Sequence, residues 1–349
     1  MLSPIRVRAF RRCLLAWYRR RGRDLPWRHT RDPYAILVSE FMLQQTTVAT
    51  VRSYYDGWLR RFPNFTALAR ASDNDVLHAW QGLGYYRRAR NLNATARLVQ
   101  DRHDGKFPRD IAAIRQFPGI GKYTAHAIAS FAFNQSVPII EANTARVLAR
   151  LFDVRVAIDS AAGRQLLWRR AAEIVPTRRA ADFNSALVDL GALVCLPRKP
   201  QCPICPVKRF CRATKPESLP VRRARPETKR IVENYRFVFN HDRVLLEQAV
   251  HRWRGMWILP PFKLVRFNRT SLSAPVYQAL FAFTHHRVSL RVFRVPAGKI
   301  DGSNQRWFAI RQLNSIPIPS PHRRAITSLL SSHADCLNAA RAGFTKDRQ

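Results

Sequence analysis

FPGIGKYTAHAIASFAFNQSVPIIEANTARV, residues 117–147, decides how the chain is read. Pro118 precedes two glycines, Gly119 and Gly121, that flank Ile120, and helix-forming residues start at Lys122. A turn feeding a helix in this way leaves unpaired backbone N–H groups at the positive end of the helix dipole. Such an end suits a phosphate without help from any side chain. A short segment later a lone acid, Glu141, stands just before another helical run. An anion-gripping turn near a carboxylate suggests chemistry on a nucleic-acid backbone. The plainer reading is a loop glycine pair in an ordinary helical domain.

Working outward, 349 residues suffice for two domains, each with its own core. Lys and Arg number 60 against 23 Asp and Glu, a formal net charge of +37. That excess goes beyond the needs of solubility and fits a polyanionic partner, most simply DNA or RNA. No run approaches the roughly 18–20 apolar residues that a membrane helix requires. The Arg-rich opening, residues 1–22, has some features of a transit peptide. Ser3 as a cap, Pro4 in a first turn, and Phe10, Leu14 and Trp17 on one face favour a folded helix instead. The expectation is a monomer without membrane attachment, cytoplasmic and nucleoid-associated if bacterial, nuclear or organellar if eukaryotic.

Asp32-Pro33 opens a helix in which Tyr34, Leu37, Val38, Phe41 and Met42 form a buried stripe. Glu40 lies off that stripe and either lines a cleft or faces water. Helical patterns continue over 48–60, 73–81, 87–101, 160–174 and 183–194, with Ser72 and Asp182 as caps. Gly82-Leu83-Gly84-Tyr85-Tyr86-Arg87-Arg88 sets aromatics beside arginines at a helix entrance. It reads either as a structural turn or as a stacking wedge with phosphate contacts.

Of six cysteines, Cys195, Cys202, Cys205 and Cys211 crowd into one loop with the spacing C-x6-C-x2-C-x5-C. Cys13 and Cys336 stand apart as ordinary thiols, and nothing resembles a secreted disulfide framework. Four thiolates in so compact a loop bind metal. Zinc prefers two C-x2-C knuckles, and only Cys202 and Cys205 make one, so the unequal arms favour an iron–sulfur cubane. Residues 215–232 are rich in proline and charge, as linkers are. Beyond them β-branched and aromatic residues alternate at 235–239, 244–246 and 288–295, the pattern of a smaller α/β or mostly β module.

These residues, in this order and spacing, resemble the MutY-type adenine DNA glycosylases of the endonuclease III superfamily. The resemblance runs from about Trp17 to about Pro321. It is carried by Arg23-Asp24-Leu25-Pro26-Trp27-Arg28, Val38-Ser39-Glu40, Met42-Leu43-Gln44-Gln45-Thr46, Pro118-Gly119-Ile120-Gly121, Asn143 with Arg146, Gly191-Ala192-Leu193-Val194-Cys195 and the four-cysteine loop. It implies a mainly α fold. A two-lobed helix-hairpin-helix glycosylase domain over 1–214, with a 4Fe-4S cluster loop at 195–211, precedes a linker over 215–232. A nudix-like α/β domain over 233–335 and a tail over 336–349 follow. Leu245-Leu246-Glu247-Gln248 and Gly255-Met256-Trp257-Ile258-Leu259-Pro260 match that second domain, and Phe283-Thr284-His285 take the family's position at 8-oxoguanine. No acid occurs from Lys263 to Leu272, where nudix hydrolases hold Mg²⁺, so the domain is expected to bind and not to hydrolyse.

The implied partner is double-stranded DNA carrying adenine opposite 8-oxoguanine or guanine. Adenine leaves poorly unless its ring is protonated while positive charge grows on the sugar. The resemblance gives the proton to Glu40 and the stabilisation of the sugar cation to Glu141, with Asn143 beside it. Tyr123 stands where bifunctional relatives carry a Schiff-base lysine, which implies a monofunctional enzyme. Arg23, Trp27 and Arg28 are expected in the base pocket. Gln45, Tyr85, Gly119, Gly121 and Lys122 are expected on DNA. The chain departs from the family's Asp-Gly-Asn, with Glu141-Ala142-Asn143: the arm is one methylene longer, and alanine lacks glycine's access to positive φ. A lesion-binding protein with weakened catalysis, or a related mismatch glycosylase or lyase, is the alternative.

Overall fold

The computed structural model describes residues 3–224, 227–262, 274–283, 286–296 and 304–343, with side chains through residue 332. Its packing divides the chain into two compact units. The first comprises residues 1–70 and 91–225, and the second 71–90 together with 226–349.

The first unit is helical. Helix α1 spans Pro4–Arg21, with Ser3 accepting a hydrogen bond from the Arg6 amide and Pro4 in the first turn. A short 3-10 turn, Pro26–Arg28, leads to α2, Pro33–Leu43, capped by Asp32. Every residue of α2 from Tyr34 to Met42 is buried, Glu40 among them, so this is a central helix and not a surface one. Helices α3 (Val48–Arg61) and α4 (Phe65–Arg70) follow. After α5 (Asp73–Ala79), α6 runs from Arg87 to His103 and α7 from Ile111 to Ile114. Helix α8 covers Lys122–Phe131, α9 Ala142–Leu151, α10 Ala161–Ile174 and α11 Ala180–Leu193. Phe10 of α1 meets Phe183 of α11 and Phe210 of the cysteine loop edge-on, at 6.2 and 5.8 Å between ring centroids. With Leu148, Leu167 and Leu187 these rings form one lobe's core. The other lobe gathers around α2 and α8, with Phe107 stacked between Phe65 and Phe117.

One expected cap moves. Helix α11 begins at Ala180, because Ala180 and Ala181 are drawn into the core, and Arg179 takes the cap position in the left-handed region at φ +62°. Asp182 therefore lies inside the first turn, where its charge favours the dipole and pairs with Arg179.

The second unit carries two sheets. Strand β1 (Lys229–Phe237) runs parallel to β6 (His286–Arg294), which pairs antiparallel with β5 (Tyr277–Phe283). In the other sheet β3 (Arg243–Gln248) pairs with β2 (Phe239–Asn240) and β4 (Trp257–Ile258) on one side and with β7 (Gln305–Ala309) on the other. Helix α12, Ser320–Gly343, completes this small α/β unit. Residues 71–90 belong to it by packing. The Gln81 side chain accepts hydrogen bonds from the Ile318 amide and Arg323, the Arg90 guanidinium donates to the Arg254 carbonyl, and Leu77 lies against Gly255.

Candidate active site

A cavity of about 790 Å³ opens within the first unit. Its walls come from both lobes: Tyr18 of α1, Arg23, Trp27 and Arg28 before α2, Glu40 of α2, Tyr123 of α8, and Glu141 and Asn143 at the start of α9. Gln45, Gly119 and Gly121 also line it. The residues expected to be catalytic and those expected to hold the base thus share one space. Tyr85 is not among the lining residues; it belongs to the second unit, at φ +46°, with the Arg88 guanidinium 5.5 Å from its ring centroid. Lys122 is exposed, its ammonium 4.0 Å from the centroid of the Trp168 ring.

Glu40 is 4% exposed, and its Oε2 has no hydrogen-bond partner among the described residues. Burial pushes its carboxyl up to about 7, and the neighbouring charge of Glu141 adds to this. A hydrogen bond from the Tyr123 phenol and the charge of Arg28 pull the other way. A buried carboxyl that keeps its proton near neutrality, with one oxygen uncommitted, can donate that proton to a group entering the cavity.

Glu141 caps α9. Its Oε2 accepts the Asn143 N–H and its Oε1 the Thr144 N–H, both at 2.8 Å, while the Thr144 hydroxyl accepts the Glu141 N–H. This is a reciprocal capping box, and both carboxylate oxygens sit on orphan donors at the positive end of the helix. Burial raises the Glu141 carboxyl, opposed by these two amides and by Arg146 and Arg23. The added methylene is absorbed by folding the arm back over the first turn of α9. Ala142, the first residue of that helix, is not at positive φ, so the glycine expected for backbone freedom is not required here. Asn143 accepts from Arg146 at 2.8 Å, and Arg146 also donates to the carbonyls of Gly191 and Cys195. A Cβ on Gly191 would lie 2.7 Å from the Asn143 Cβ, which explains a glycine in the middle of α11.

Asp189, also on α11, is a site residue that motif reading passes over. Its side chain is fully buried and binds Arg28 through both oxygens at 2.6 and 2.7 Å, and Arg23 through Nε and the backbone N–H at 2.7 Å each. Burial alone would raise its carboxyl, but the bonds and charge of Arg28 and Arg23 hold it below the ordinary carboxylate value. The signal was present in the sequence as a lone acid within the apolar run Ala186-Leu187-Val188-Asp189-Leu190-Gly191.

The four loop cysteines form no disulfide, and the loop bends through two 3-10 turns at Cys202–Ile204 and Lys208–Phe210. Among the described residues no three His, Cys, Asp or Glu side chains are grouped as a metal-holding set. The sulfurs nonetheless feel one another. Burial first, then the charges of Cys195, Cys211 and Cys202, push the Cys205 thiol up to about 11. Arg150, 1% exposed and without a carboxylate partner in its hydrogen bonds, donates to the Cys195 sulfur at 3.3 Å and to carbonyls of residues 196, 197 and 219. Four cysteines crowded into one loop beside the buried Arg150 cation fit an anionic, thiolate-ligated group.

In the second unit Phe283 ends β5, with the Arg252 guanidinium 4.6 Å from its ring centroid. Thr284, His285 and the acid-free stretch 263–272 lie outside the described residues.

Comparison with known proteins places the chain in a family. Residues 38–173 match the HhH-GPD superfamily of base excision DNA repair proteins. An adenine DNA glycosylase of Buchnera aphidicola is 33% identical over 342 residues, covering 92% of this chain and 96% of the relative. The chain belongs to the adenine DNA glycosylases. The human adenine DNA glycosylase is 46% identical over 216 residues, which are 59% of this chain and 40% of the longer human protein. Among solved structures, a thermostable thymine-DNA glycosylase matches with a TM-score of 0.56 at 33% identity, covering 60% of this chain and 97% of its own. The fold expected from the sequence, a helical glycosylase domain followed by a small α/β domain, is the fold found. No helix among the described residues is long and apolar enough to cross a membrane.

Proposed function

We propose that the chain excises adenine opposite 8-oxoguanine or guanine from double-stranded DNA, without lyase activity. The observation that carries this reading is Glu40, buried, its carboxyl pushed up to about 7 by that burial, in a cavity that has a second carboxylate. Glu40 gives its proton to a ring nitrogen of the flipped adenine. The bond from the sugar to the base then breaks with its electron pair going to the base, and the sugar carries the positive charge. Glu141, held by backbone donors in a fixed place, stabilises that charge until water adds. Tyr123 offers a phenol where imine chemistry would need an amine, which supports the absence of strand cleavage. Gly119 and Gly121, with Gln45 and Lys122, grip the DNA backbone, and Tyr85 meets the duplex from the second unit.

The second unit is proposed as a nudix-like reader of the oxidised guanine, through Phe283, Thr284 and His285. Cys195, Cys202, Cys205 and Cys211 are proposed to hold one 4Fe-4S cluster, which supplies a rigid brace to the Arg- and Lys-rich loop 195–211. The protein as purified is then brown with about four irons per chain. Stoichiometric zinc without iron after anaerobic preparation contradicts it. The decisive experiment is single-turnover treatment of a duplex containing adenine opposite 8-oxoguanine with purified full-length protein. Release of free adenine without strand scission is the expected result; binding without release favours the lesion-binding alternative.

A further inference from the structure

We propose that Asp189 is a positioning residue of the excision reaction: buried behind the cavity wall, it clamps Arg23 and Arg28 so that each guanidinium stays beside one of the two carboxylates. The inference rests on the reading of the cavity as the site of adenine excision. Asp189 uses all its acceptor capacity on these two residues, through four bonds of 2.6–2.7 Å. Arg28 gives one further N–H to the Arg23 carbonyl at 3.0 Å, and its guanidinium carbon lies 5.6 Å from the Tyr18 ring centroid. Those contacts fix the plane of a side chain that otherwise has several rotatable bonds. Arg28 also has a side-chain hydrogen bond with Tyr18, and its guanidinium lines the cavity.

The charges form an ordered set. Glu40 has a hydrogen bond with Tyr123 and feels the charges of Glu141 and Arg28, and Glu141 feels those of Arg146 and Arg23. Two cavity arginines therefore act on the two acids through their charge, and one buried carboxylate offsets part of that charge. Without Asp189, the full charge of Arg28 would act on Glu40, whose carboxyl would then lose its proton at lower pH. A buried ion pair of this kind is weak evidence of stability and better evidence of fixed geometry. Its worth to the reaction lies in where it holds the guanidiniums.

The test is single-turnover excision of adenine opposite 8-oxoguanine as a function of pH, with thermal melting and duplex affinity measured alongside. Asp189→Asn keeps the shape of the side chain and removes the charge. The expected result is a rate lower by about 10- to 100-fold, as small misplacements in active sites give, with duplex affinity retained. The alkaline limb of its pH profile moves to lower pH. The double variant Asp189→Asn/Arg23→Gln keeps the net charge of the cluster while losing the clamp. It is expected to stay slow, with its alkaline limb returned towards that of the wild type. A wild-type rate and an unmoved limb in folded Asp189→Asn overturn the proposal, and a wild-type rate in the double variant does so if the single variant does not fold. Failure of both variants to fold makes Asp189 a structural residue and overturns it as well. An inert wild type is a different outcome, because it removes the functional reading itself and Asp189's role with it.

Discussion

In the proposed reaction two acids divide the work of the cavity, and their surroundings differ enough to give each a separate prediction. Glu40 has a folded-state value of about 7 against an ordinary 4.5. Because the shift is upward, the fold favours the neutral acid. The associated stability is complete below the ordinary value and is lost as pH rises through about 7. Glu40→Gln is therefore expected to abolish excision yet stabilise the fold at about pH 8 by an amount on the order of 2–3 kcal/mol, read as a higher melting temperature, with little change at about pH 4. A melting curve for the variant that matches the wild type at both pH values contradicts the buried neutral acid. The proposed reaction uses Glu40 protonated and Glu141 ionised, so the rate is expected to fall on both sides of an optimum, with midpoints that belong to the pair. For Glu141, the fold-back over α9 is what aspartate also does as a helix cap. Glu141→Asp should keep excision within about threefold of the wild type. Glu141→Gln should lose on the order of 100-fold while costing about 1 kcal/mol of stability, the scale of a weakened cap. Full activity in Glu141→Gln would show that its charge plays no part. Motif position pointed to Glu40, Glu141 and Tyr123, and all three line the same cavity. It left Asp189 unread because its partners, Arg23 and Arg28, stand more than 160 positions away along the chain.

At the level of elements, the two hairpin glycines have different reasons to be there. Gly119 sits at φ +77°, and a Cβ on it would come within 2.4 Å of the Asn91 side-chain nitrogen. Gly121 caps α8 with ordinary extended backbone and has open space where a Cβ would go. Gly119→Val is expected to destabilise the fold by about 2 kcal/mol or more, from left-handed strain plus the clash. Gly121→Val should melt like the wild type but weaken binding to all duplexes alike, because the space it fills is the approach of a phosphate. A Gly121→Val protein that binds DNA normally would mean that nothing comes close to that turn. Helix starts were mostly legible, since Ser3, Asp32 and Ser72 cap as their residue types suggest. Asp182 was misread because capping chemistry is local, whereas burial of Ala180 and Ala181 decides where α11 begins.

For the molecule as a whole, a net charge of +37 predicts counterion release as the main source of DNA affinity. The logarithm of the association constant should fall linearly and steeply with the logarithm of salt concentration; a flat dependence would make the basic surface incidental. The α/β character of the second unit was legible in its alternating strands. What composition did not reveal is that residues 71–90, helical and flanked on both sides by the first unit's sequence, pack with residues 226–349. Their helical periodicity says nothing about which core they join. The consequence is genetic. The chain passes between the two units at three places, after residues 70, 90 and 225, so the second unit is not a cassette that recombination can add or drop at a single joint. A premature stop codon near residue 226 would remove Gly255, Ile318 and Arg323, which Leu77 and Gln81 pack against or bond to, and its product is expected to be cleared from the cell and not to persist as a less selective glycosylase.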